Sequence, residues 1–331
     1  MESPRALPLL LAAVAAALLS LAACGSEDPG ATDGRLRVAV IPKGTTHEFW
    51  KAVHAGAEEA AQRLGVEAIW KGPLKEDDRA AQIKVVEDFI ARGVDGIVLM
   101  PLDNRALVPV ATEAAGQGIP VIIADSDLDW DGRVSFVATD NYRGGELAAE
   151  ALGGLLGGEG TALMMRYLEG SASTMAREQG FLDKMAADYP GVELVSTNQY
   201  AGATTESAYA TAENLLQNHG EVQGIFCPNE SAAFGMLRAL QDVGRAGSVR
   251  FVGFDSSTKL LEGLRAREID ALILQDPVAM GRLAVEAMVS HLGGRAVEPR
   301  IDTGATVATP ENLDSPGIAA LLSPDLSILG E

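Results

Sequence analysis

From residue 36 onward, short aliphatic and β-branched runs alternate with longer segments whose apolar residues recur at helical spacing. Strands are predicted at 35–41, 66–70, 96–100, 121–124, 161–165, 192–196, 222–226, 249–253 and 269–274. Helices are predicted at 49–64, 79–91, 106–115, 143–156, 174–188, 205–218, 231–242, 257–266 and 278–292. Apolar strands that alternate with helices are typical of a parallel sheet covered on both faces. Because the rhythm restarts after residue 141, we expect two similar α/β sheets in tandem.

Polar and aromatic residues end several of the predicted strands or open the helices, near the strand ends where the sheets of such folds bind ligands. The residues in question are Lys43, His47, Glu48, Phe49, Trp50, Asp125, Ser126, Arg177, Asn229, Asp255 and Gln275. Amides, carboxylates and a guanidinium can pair sugar hydroxyls, while aromatic rings pack on the apolar face of a sugar. Taken singly, an Asp or Asn after a strand is more often a helix cap or a turn residue, and Lys43 fits a solvated loop equally well. Their joint placement favours a ligand site.

The first residues of the chain have the features of an export signal. One arginine precedes residues 6–23, which are mainly Ala, Leu and Val, so residues 1–23 are predicted to be a signal peptide. The sequence 21–24, Leu-Ala-Ala-Cys, resembles the lipobox of bacterial lipoproteins, which implies lipidation of Cys24. An ordinary secretory signal and an N-terminal membrane helix are the alternatives. Residues 24–34 are polar and rich in Gly and Asp, so we expect a flexible tether.

Composition argues against several classes of function. The chain has 26 Lys and Arg against 46 Asp and Glu, a net charge of −20, so a surface that binds nucleic acid or an anionic membrane by charge is not expected. Two cysteines, Cys24 and Cys227, exclude a disulfide framework and a four-cysteine zinc site. The four histidines are scattered, and no metal or cofactor is expected. The chain lacks G-x-S-x-G, H-E-x-x-H and P-loop motifs, which argues against an enzyme.

Five segments resemble the ribose-binding type of periplasmic sugar-binding protein, in the order of that family. They are 120–125 (PVIIAD), 138–141 (ATDN) with the glycines at 144 and 145, 176–181 (AREQGF), 225–230 (IFCPNE) and 252–255 (VGFD). The resemblance extends from about residue 36 to about residue 309. It implies a type I periplasmic binding protein fold, with two similar α/β lobes and a three-strand hinge. The N-terminal lobe is predicted to comprise 35–139 and 276–303, and the C-terminal lobe 140–275 and 304–331.

The resemblance also implies roles for the site residues. Phe49 and Trp50 match the rings that sandwich the sugar, and Asp125 matches an aspartate that binds its hydroxyls. The second lobe and the hinge would complete the site with Arg177, Asn229, Asp255 and Gln275.

Three departures from the family pattern disfavour ribose itself as the ligand. His47 stands where ribose binders have Asn, Ser126 stands where they have Arg, and the segment 200–206 lacks their second-lobe aromatic. Lys43 and Glu48 add charge near the site. A polyol, an amino sugar or a sugar acid therefore remains open beside a neutral sugar.

The function implied by the resemblance is that of the substrate-binding component of an ABC-type sugar importer. Such a protein is an exported monomer that closes on its ligand and delivers it to a membrane permease. A lipid at Cys24 would anchor it in the cell envelope, in the periplasm or at the outer surface. A sugar sensor that docks on a membrane receptor and a binder of a non-sugar polar metabolite are the alternatives. A transcriptional regulator of this fold would carry an N-terminal helix-turn-helix where this chain has its export signal. Residues 312–331 are predicted to pack along one lobe.

Overall fold

The computed structural model describes Met1 and residues 34–330 of the chain. The predicted signal peptide, Cys24 and most of the predicted tether lie outside these residues. Leu36–Glu331 form one compact unit. Among the described residues, no helix combines the length and the apolar character needed to cross a bilayer.

Strands and helices alternate along the described chain as the hydrophobic pattern predicts. In order they are β1 (Arg37–Ile41), α1 (Glu48–Leu64), β2 (Glu67–Trp70), α2 (Arg79–Ala91), β3 (Gly96–Leu99), α3 (Val108–Gly116), β4 (Val121–Ala124), β5 (Phe136–Ala138), α4 (Asn141–Leu155), β6 (Glu159–Arg166), α5 (Ala172–Asp188), β7 (Gly191–Tyr200), α6 (Thr205–Asn218), β8 (Gly224–Phe226), α7 (Glu230–Asp242), β9 (Arg250–Phe254), α8 (Thr258–Arg265), β10 (Ala271–Leu274), α9 (Pro277–Leu292), β11 (Arg300–Asp302), β12 (Thr306–Ala308) and α10 (Pro316–Leu322). A short 3₁₀ turn, Ser327–Leu329, follows α10.

Two six-stranded sheets share one strand order. The first sheet runs β11-β5-β4-β3-β1-β2, and the second runs β12-β10-β9-β8-β6-β7. All neighbouring strands of the first sheet are parallel, whereas β12 is antiparallel to β10 in the second. We call the first sheet with its helices lobe one and the second lobe two. Every residue of β3, β4 and β10 is buried, as expected for strands covered on both faces.

In each lobe, one pair of helices packs closely because glycines face the neighbouring helix. A Cβ atom added at Gly56 on α1 or at Gly281 on α9 would lie 1.9 or 2.0 Å from a carbonyl oxygen of the opposite helix. Gly145 on α4 and Gly180 on α5 stand in the same relation, with 1.9 and 2.1 Å. These distances leave no room for a side chain. The helix pair α1/α9 of lobe one therefore packs in the same way as the helix pair α4/α5 of lobe two.

The chain passes between the sheets three times, after β5, after β10 and after β11. The predicted fold class, two similar α/β lobes joined by a three-strand hinge, is thereby confirmed. The exact lobe boundaries, 35–139 with 276–303 and 140–275 with 304–331, stay a prediction.

Two details differ from the expectations. Strands β6 and β7 extend beyond the predicted 161–165 and 192–196, because they pair along most of their length despite irregular register. The C-terminal segment contacts both lobes rather than one. Ile318 and Leu322 of α10 are buried in the core of lobe two, whereas the turn Ser327–Leu329 contacts α1 of lobe one.

Candidate functional site

A cavity lies between the two lobes, at the carboxyl ends of their strands. It holds about 320 Å³ of space that protein atoms do not fill. Eight residues predicted to bind ligand converge on it, namely His47, Phe49, Trp50, Asp125, Arg177, Asn229, Asp255 and Gln275. The other lining residues are Lys43, Glu76, Tyr167, Ser173, Thr174 and Glu230. The structure thus brings the predicted residues together, while their part in ligand binding stays a prediction.

The lobes contact each other around this cavity, so the structure is of a closed form. The backbone N–H of Ser173 in lobe two donates to Oγ of Ser126 in lobe one at 3.1 Å. The N–H of Asn104 in lobe one donates to the carbonyl oxygen of Gly170 at 2.9 Å. A ligand in the cavity would be enclosed by both lobes.

Two aromatic rings at the start of α1 form one wall of the cavity. The rings of Phe49 and Trp50 have their centroids 4.9 Å apart and meet edge to face at 85°. The indole Nε1 of Trp50 donates to Oε1 of Glu76 at 2.7 Å. That bond fixes the indole, because a buried N–H without an acceptor costs free energy. The wall is an apolar ring surface of defined orientation.

Glu76 is the centre of a buried polar network in which both lobes take part. Its Oε1 lies 2.6 Å from Nδ1 of His47, and its Oε2 accepts from the hydroxyl of Tyr167, in lobe two, at 2.9 Å. Burial alone would lower the pKa of His47, but the negative charge of Glu76 raises it to about 9. Burial alone would raise the pKa of Glu76, but His47 and Lys43 lower it to about 2. Both side chains are therefore charged at neutral pH.

Lys43 and Asp125 form a second buried ion pair in lobe one. Their Nζ and Oδ2 atoms are 2.8 Å apart, and both side chains are about 5% exposed or less. The Lys43 ammonium also donates to Oγ of Ser173 in lobe two at 2.9 Å. The sequence left two interpretations of Lys43 open, a site residue and a solvated loop residue. The structure shows a buried and ion-paired lysine, so it is not a solvated loop residue.

Two aspartates occupy matching places in the two lobes with the same unusual backbone. Asp125 follows β4 with φ 59°, and Asp255 follows β9 with φ 71°. Side-chain-bearing residues rarely adopt this left-handed region, and such residues concentrate at functional sites. The backbone turns both carboxylates toward the cleft between the sheets.

Arg177 on α5 is the central cation of lobe two and is fully buried. Its Nε donates to Oδ1 of Asn141 at 2.8 Å, and its Nη1 donates to the carbonyl oxygen of Pro228 at 2.9 Å. Oδ2 of Asp255 lies 3.8 Å from the same Nη1. Nε2 of Gln275, at the hinge, donates to Oδ1 of Asp255 at 2.7 Å. Oε1 of Gln275 is buried and has no partner among the described residues, which leaves an acceptor for a ligand hydroxyl at this edge of the cavity.

The start of α7 completes the lobe-two wall. Asn229 caps this helix by accepting from the N–H of Ala232 at 3.3 Å. Glu230 is the next residue, and burial raises its pKa to about 7. Burial likewise raises the pKa of Asp255, although Arg177 acts against the shift.

The remaining two candidates, Ser126 and Glu48, lie beside the cavity and do not line it. Ser126 is buried and accepts the lobe-two N–H described above. The Glu48 carboxylate accepts from the N–H and the hydroxyl of Thr258 in lobe two. Both residues join the lobes.

Sequence reasoning missed Glu76, Tyr167, Ser173, Thr174 and Glu230 as cavity residues. Lobe two does present an aromatic side chain to the cavity, Tyr167 directly after β6, whereas Tyr200 is exposed. Glu76 lies in the charged run 75–79, which is typical of a solvated loop. The rule that ligands bind beyond strand ends, applied to β2 and β6 as well, points to both Glu76 and Tyr167.

A family model covers most of the described chain. Residues 38–296 match the model of the periplasmic binding protein domain. The chain is 28% identical to a ribose import binding protein of Bacillus subtilis over 299 residues, which cover 88% of this chain and 95% of the relative. It is 30% identical to the D-allose-binding periplasmic protein of Escherichia coli over 261 residues, 76% of this chain and 83% of the relative.

Solved structures of sugar-binding proteins resemble it closely. A carbohydrate transporter solute-binding protein from Agrobacterium radiobacter, in complex with D-arabinose, has a TM-score of 0.85 and 31% identity, and covers 88% of this chain and 100% of its own. An ABC transporter solute-binding protein from Agrobacterium vitis, with bound D-fucose, has a TM-score of 0.84 and 34% identity over 87% of this chain and 100% of its own.

Proposed function

The chain belongs to the periplasmic binding protein domain family, and on that premise we propose that it is the substrate-binding component of an ABC-type importer of a small carbohydrate or polyol. The observation that carries the proposal is the closed cavity between the lobes. Ring surfaces, ion-paired carboxylates, a buried guanidinium and an unpartnered amide oxygen converge there. Rings pack on the apolar face of a sugar, and the polar groups can pair its hydroxyls in fixed directions.

Binding would act by population shift. A ligand between Trp50 in lobe one and Arg177 in lobe two gains all its contacts only when the lobes meet, so it favours the closed form. The closed protein would then dock on a membrane permease. The protein itself supplies no chemical step, and we propose that it works as a monomer.

The ligand class can be tested by thermal shift. The purified protein is heated with D-ribose, D-allose, D-arabinose, D-fucose, D-tagatose, polyols, amino sugars and sugar acids in turn. A ligand that binds only the folded state raises the midpoint of unfolding. We expect one class to raise it in the wild type and not in Asp125→Ala. If no carbohydrate or polyol raises the midpoint of unfolding, the proposal is wrong. Other polar metabolites are then tested as ligands.

The lipid anchor is proposed on the lipobox alone. With a lipid on Cys24, the protein would stay in the cell envelope, in the periplasm or at the outer surface, near its permease. We expect Cys24→Ser to move the protein from the membrane fraction to the soluble fraction. A variant that stays with the membranes would contradict the anchor.

A further inference from the structure

Two acidic side chains reach across the cleft in opposite directions. Glu230, the first residue of α7 in lobe two, accepts the backbone N–H groups of Glu48 at 3.3 Å and Phe49 at 3.2 Å, at the start of α1. Glu48, the first residue of α1 in lobe one, accepts the N–H of Thr258 at 3.0 Å and its hydroxyl at 3.2 Å, at the start of α8. Each carboxylate therefore lies at a helix N-terminus of the opposite lobe.

Helix α1 receives its N-terminal cap from the other lobe. Its own N-cap residue, His47, makes no side-chain capping bond. The first N–H groups of a helix have no partner within the helix, and the helix dipole favours a negative charge beside them. Within the described residues, the Glu230 carboxylate of lobe two accepts the N–H groups of Glu48 and Phe49 at this end of α1, and it can do so only while the lobes are closed.

Helix α8 has a cap of its own but leaves one N–H group for Glu48. The hydroxyl of Ser257 accepts from the N–H of Leu260. The N–H of Thr258, the first residue of the helix, is taken by Glu48 instead. The two contacts are thus reciprocal, because each lobe supplies a carboxylate to the N-terminus of a helix in the opposite lobe.

We infer that Glu48 and Glu230 form a crossed latch that stabilises the closed form before any ligand binds. This inference rests on the proposed function, in which closure accompanies binding. Glu48 does not line the ligand cavity, so it acts as a positioning residue on the equilibrium between open and closed forms. Water replaces both contacts when the lobes separate. The apparent ligand affinity follows the fraction of protein that is competent to bind, and so depends on the latch.

The latch can be measured without a ligand. Lys75 in lobe one and Glu206 in lobe two are exposed and border one pocket at the mouth of the cleft. Cysteines placed at these positions in the full chain, in a Cys24→Ser background, take nitroxide labels, while the native Cys227 is fully buried. Pulsed electron paramagnetic resonance then gives the fractions of open and closed protein.

Glu48→Ala is the main variant, and Glu87→Ala, an exposed acid on α2 of the same lobe, is its matched control for charge. We expect Glu48→Ala to lower the ratio of closed to open protein about fivefold, as for the loss of one hydrogen bond, while the control leaves it unchanged. Thr258→Val, which removes only the hydroxyl donor, should give a smaller shift in the same direction. The midpoint of unfolding should change little in all three, because Glu48 is exposed.

An unchanged distance distribution in both Glu48→Ala and Thr258→Val would overturn the latch. This outcome is independent of the proposed function, since no sugar is present. If the latch shift appears but no carbohydrate or polyol of the panel binds, the proposed function fails and the latch stands.

Discussion

The two lobes are built alike but present different faces to the cleft. Both have one strand order and one pair of helices packed through facing glycines. Lobe one faces the cavity with two rings and two ion pairs, Lys43–Asp125 and His47–Glu76. Lobe two faces it with one guanidinium, Arg177, held by a side-chain amide and a backbone carbonyl.

The difference also appears in the carboxylates. The cations of lobe one lower the pKa of Glu76 to about 2, whereas burial raises the pKa of Glu178 and of Glu230 in lobe two to about 7. A shared backbone architecture therefore does not determine the electrostatics of the cleft, which depend on which cations each lobe places beside its acids. In lobe one the charges near the cavity are paired, whereas in lobe two burial outweighs the neighbouring cations, among them Arg166, whose Nη1 lies 3.3 Å from Oε2 of Glu178.

The largest effect is expected from Arg177→Ala. The change removes the donor to Asn141 and to the carbonyl of Pro228, and it removes the cation beside the buried Asp255. We expect the binding free energy of the cognate sugar to weaken by about 3 kcal/mol, as for a broken buried pair. Titration calorimetry measures it. Arg105→Ala, which breaks an exposed pair with Asp129, should change it by less than about 0.5 kcal/mol. Equal losses in the two variants would refute the role of Arg177.

The likeness of the lobes predicts that their glycine contacts are equivalent. Gly56→Ala in lobe one and Gly145→Ala in lobe two should each lower the free energy of unfolding by about 2 kcal/mol, because the added methyl overlaps the facing backbone. Urea unfolding measures both. Gly116→Ala, where nothing lies within 4 Å of the added Cβ atom, is the control and should not destabilise. A loss confined to one lobe would break the comparison.

The contrast between the carboxylates predicts a pH dependence. The pKa of Glu178 is raised to about 7 in the folded protein, so its stabilising contribution is present below its ordinary pKa and is lost as pH rises through 7. In the wild type, the free energy of unfolding should fall as the pH rises from 5 to 8. We expect this fall to be smaller by about 2 kcal/mol in Glu178→Gln. The pair in lobe one behaves differently. The contribution of Glu76 is lost only as pH falls from about 4.5 to about 2, and that of His47 as pH rises from about 6.5 to about 9.

Urea unfolding at several pH values follows these changes. Glu87→Gln, at an exposed position of α2, is the matched control and should keep the wild-type slope. A wild-type slope in Glu178→Gln would show that Glu178 is not a source of the fall.

The smallest effect is expected for the hydrogen bond between Tyr167 of lobe two and Glu76 of lobe one. Tyr167→Phe removes one donor to Glu76 and should cost about 1 kcal/mol of sugar affinity. Glu76→Gln should cost more, since it leaves His47 and Lys43 with less compensation. Titration calorimetry compares the two variants. If Tyr167→Phe costs more than Glu76→Gln, the network is not centred on Glu76.

Much of the fold could be predicted because local signals agree with it. The bounds of α2 and α6 were predicted as observed, and Asp78 and Thr204 cap these helices. The strands with buried apolar runs were predicted to within a few residues. The short strands β5, β11 and β12 have only three residues each, too few for a periodicity, and the resemblance alone placed the crossings near them.

The site was predictable where a residue follows a strand and has a matching place in the family. Asp125 and Asp255 were found in that way, Arg177 was found from its place in the family and near the start of a helix, and all three line the cavity. Glu76 was not, because its burial depends on His47 and Trp50, which another part of the chain brings to it. Contacts with residues distant in the sequence decide whether a charged loop residue is solvated or buried. A local sequence pattern gives no information about such contacts.

A crystal structure with the sugar that gives the largest thermal shift tests the central claim most directly. We expect a sugar ring against Phe49 and Trp50, with hydroxyls bonded to Asp125 and Arg177, and with both lobes closed around it. A second cavity of about 390 Å³ lies nearby, under residues 321–326 of the C-terminal segment. Sugar in that cavity, with the site between the lobes empty, would contradict the account.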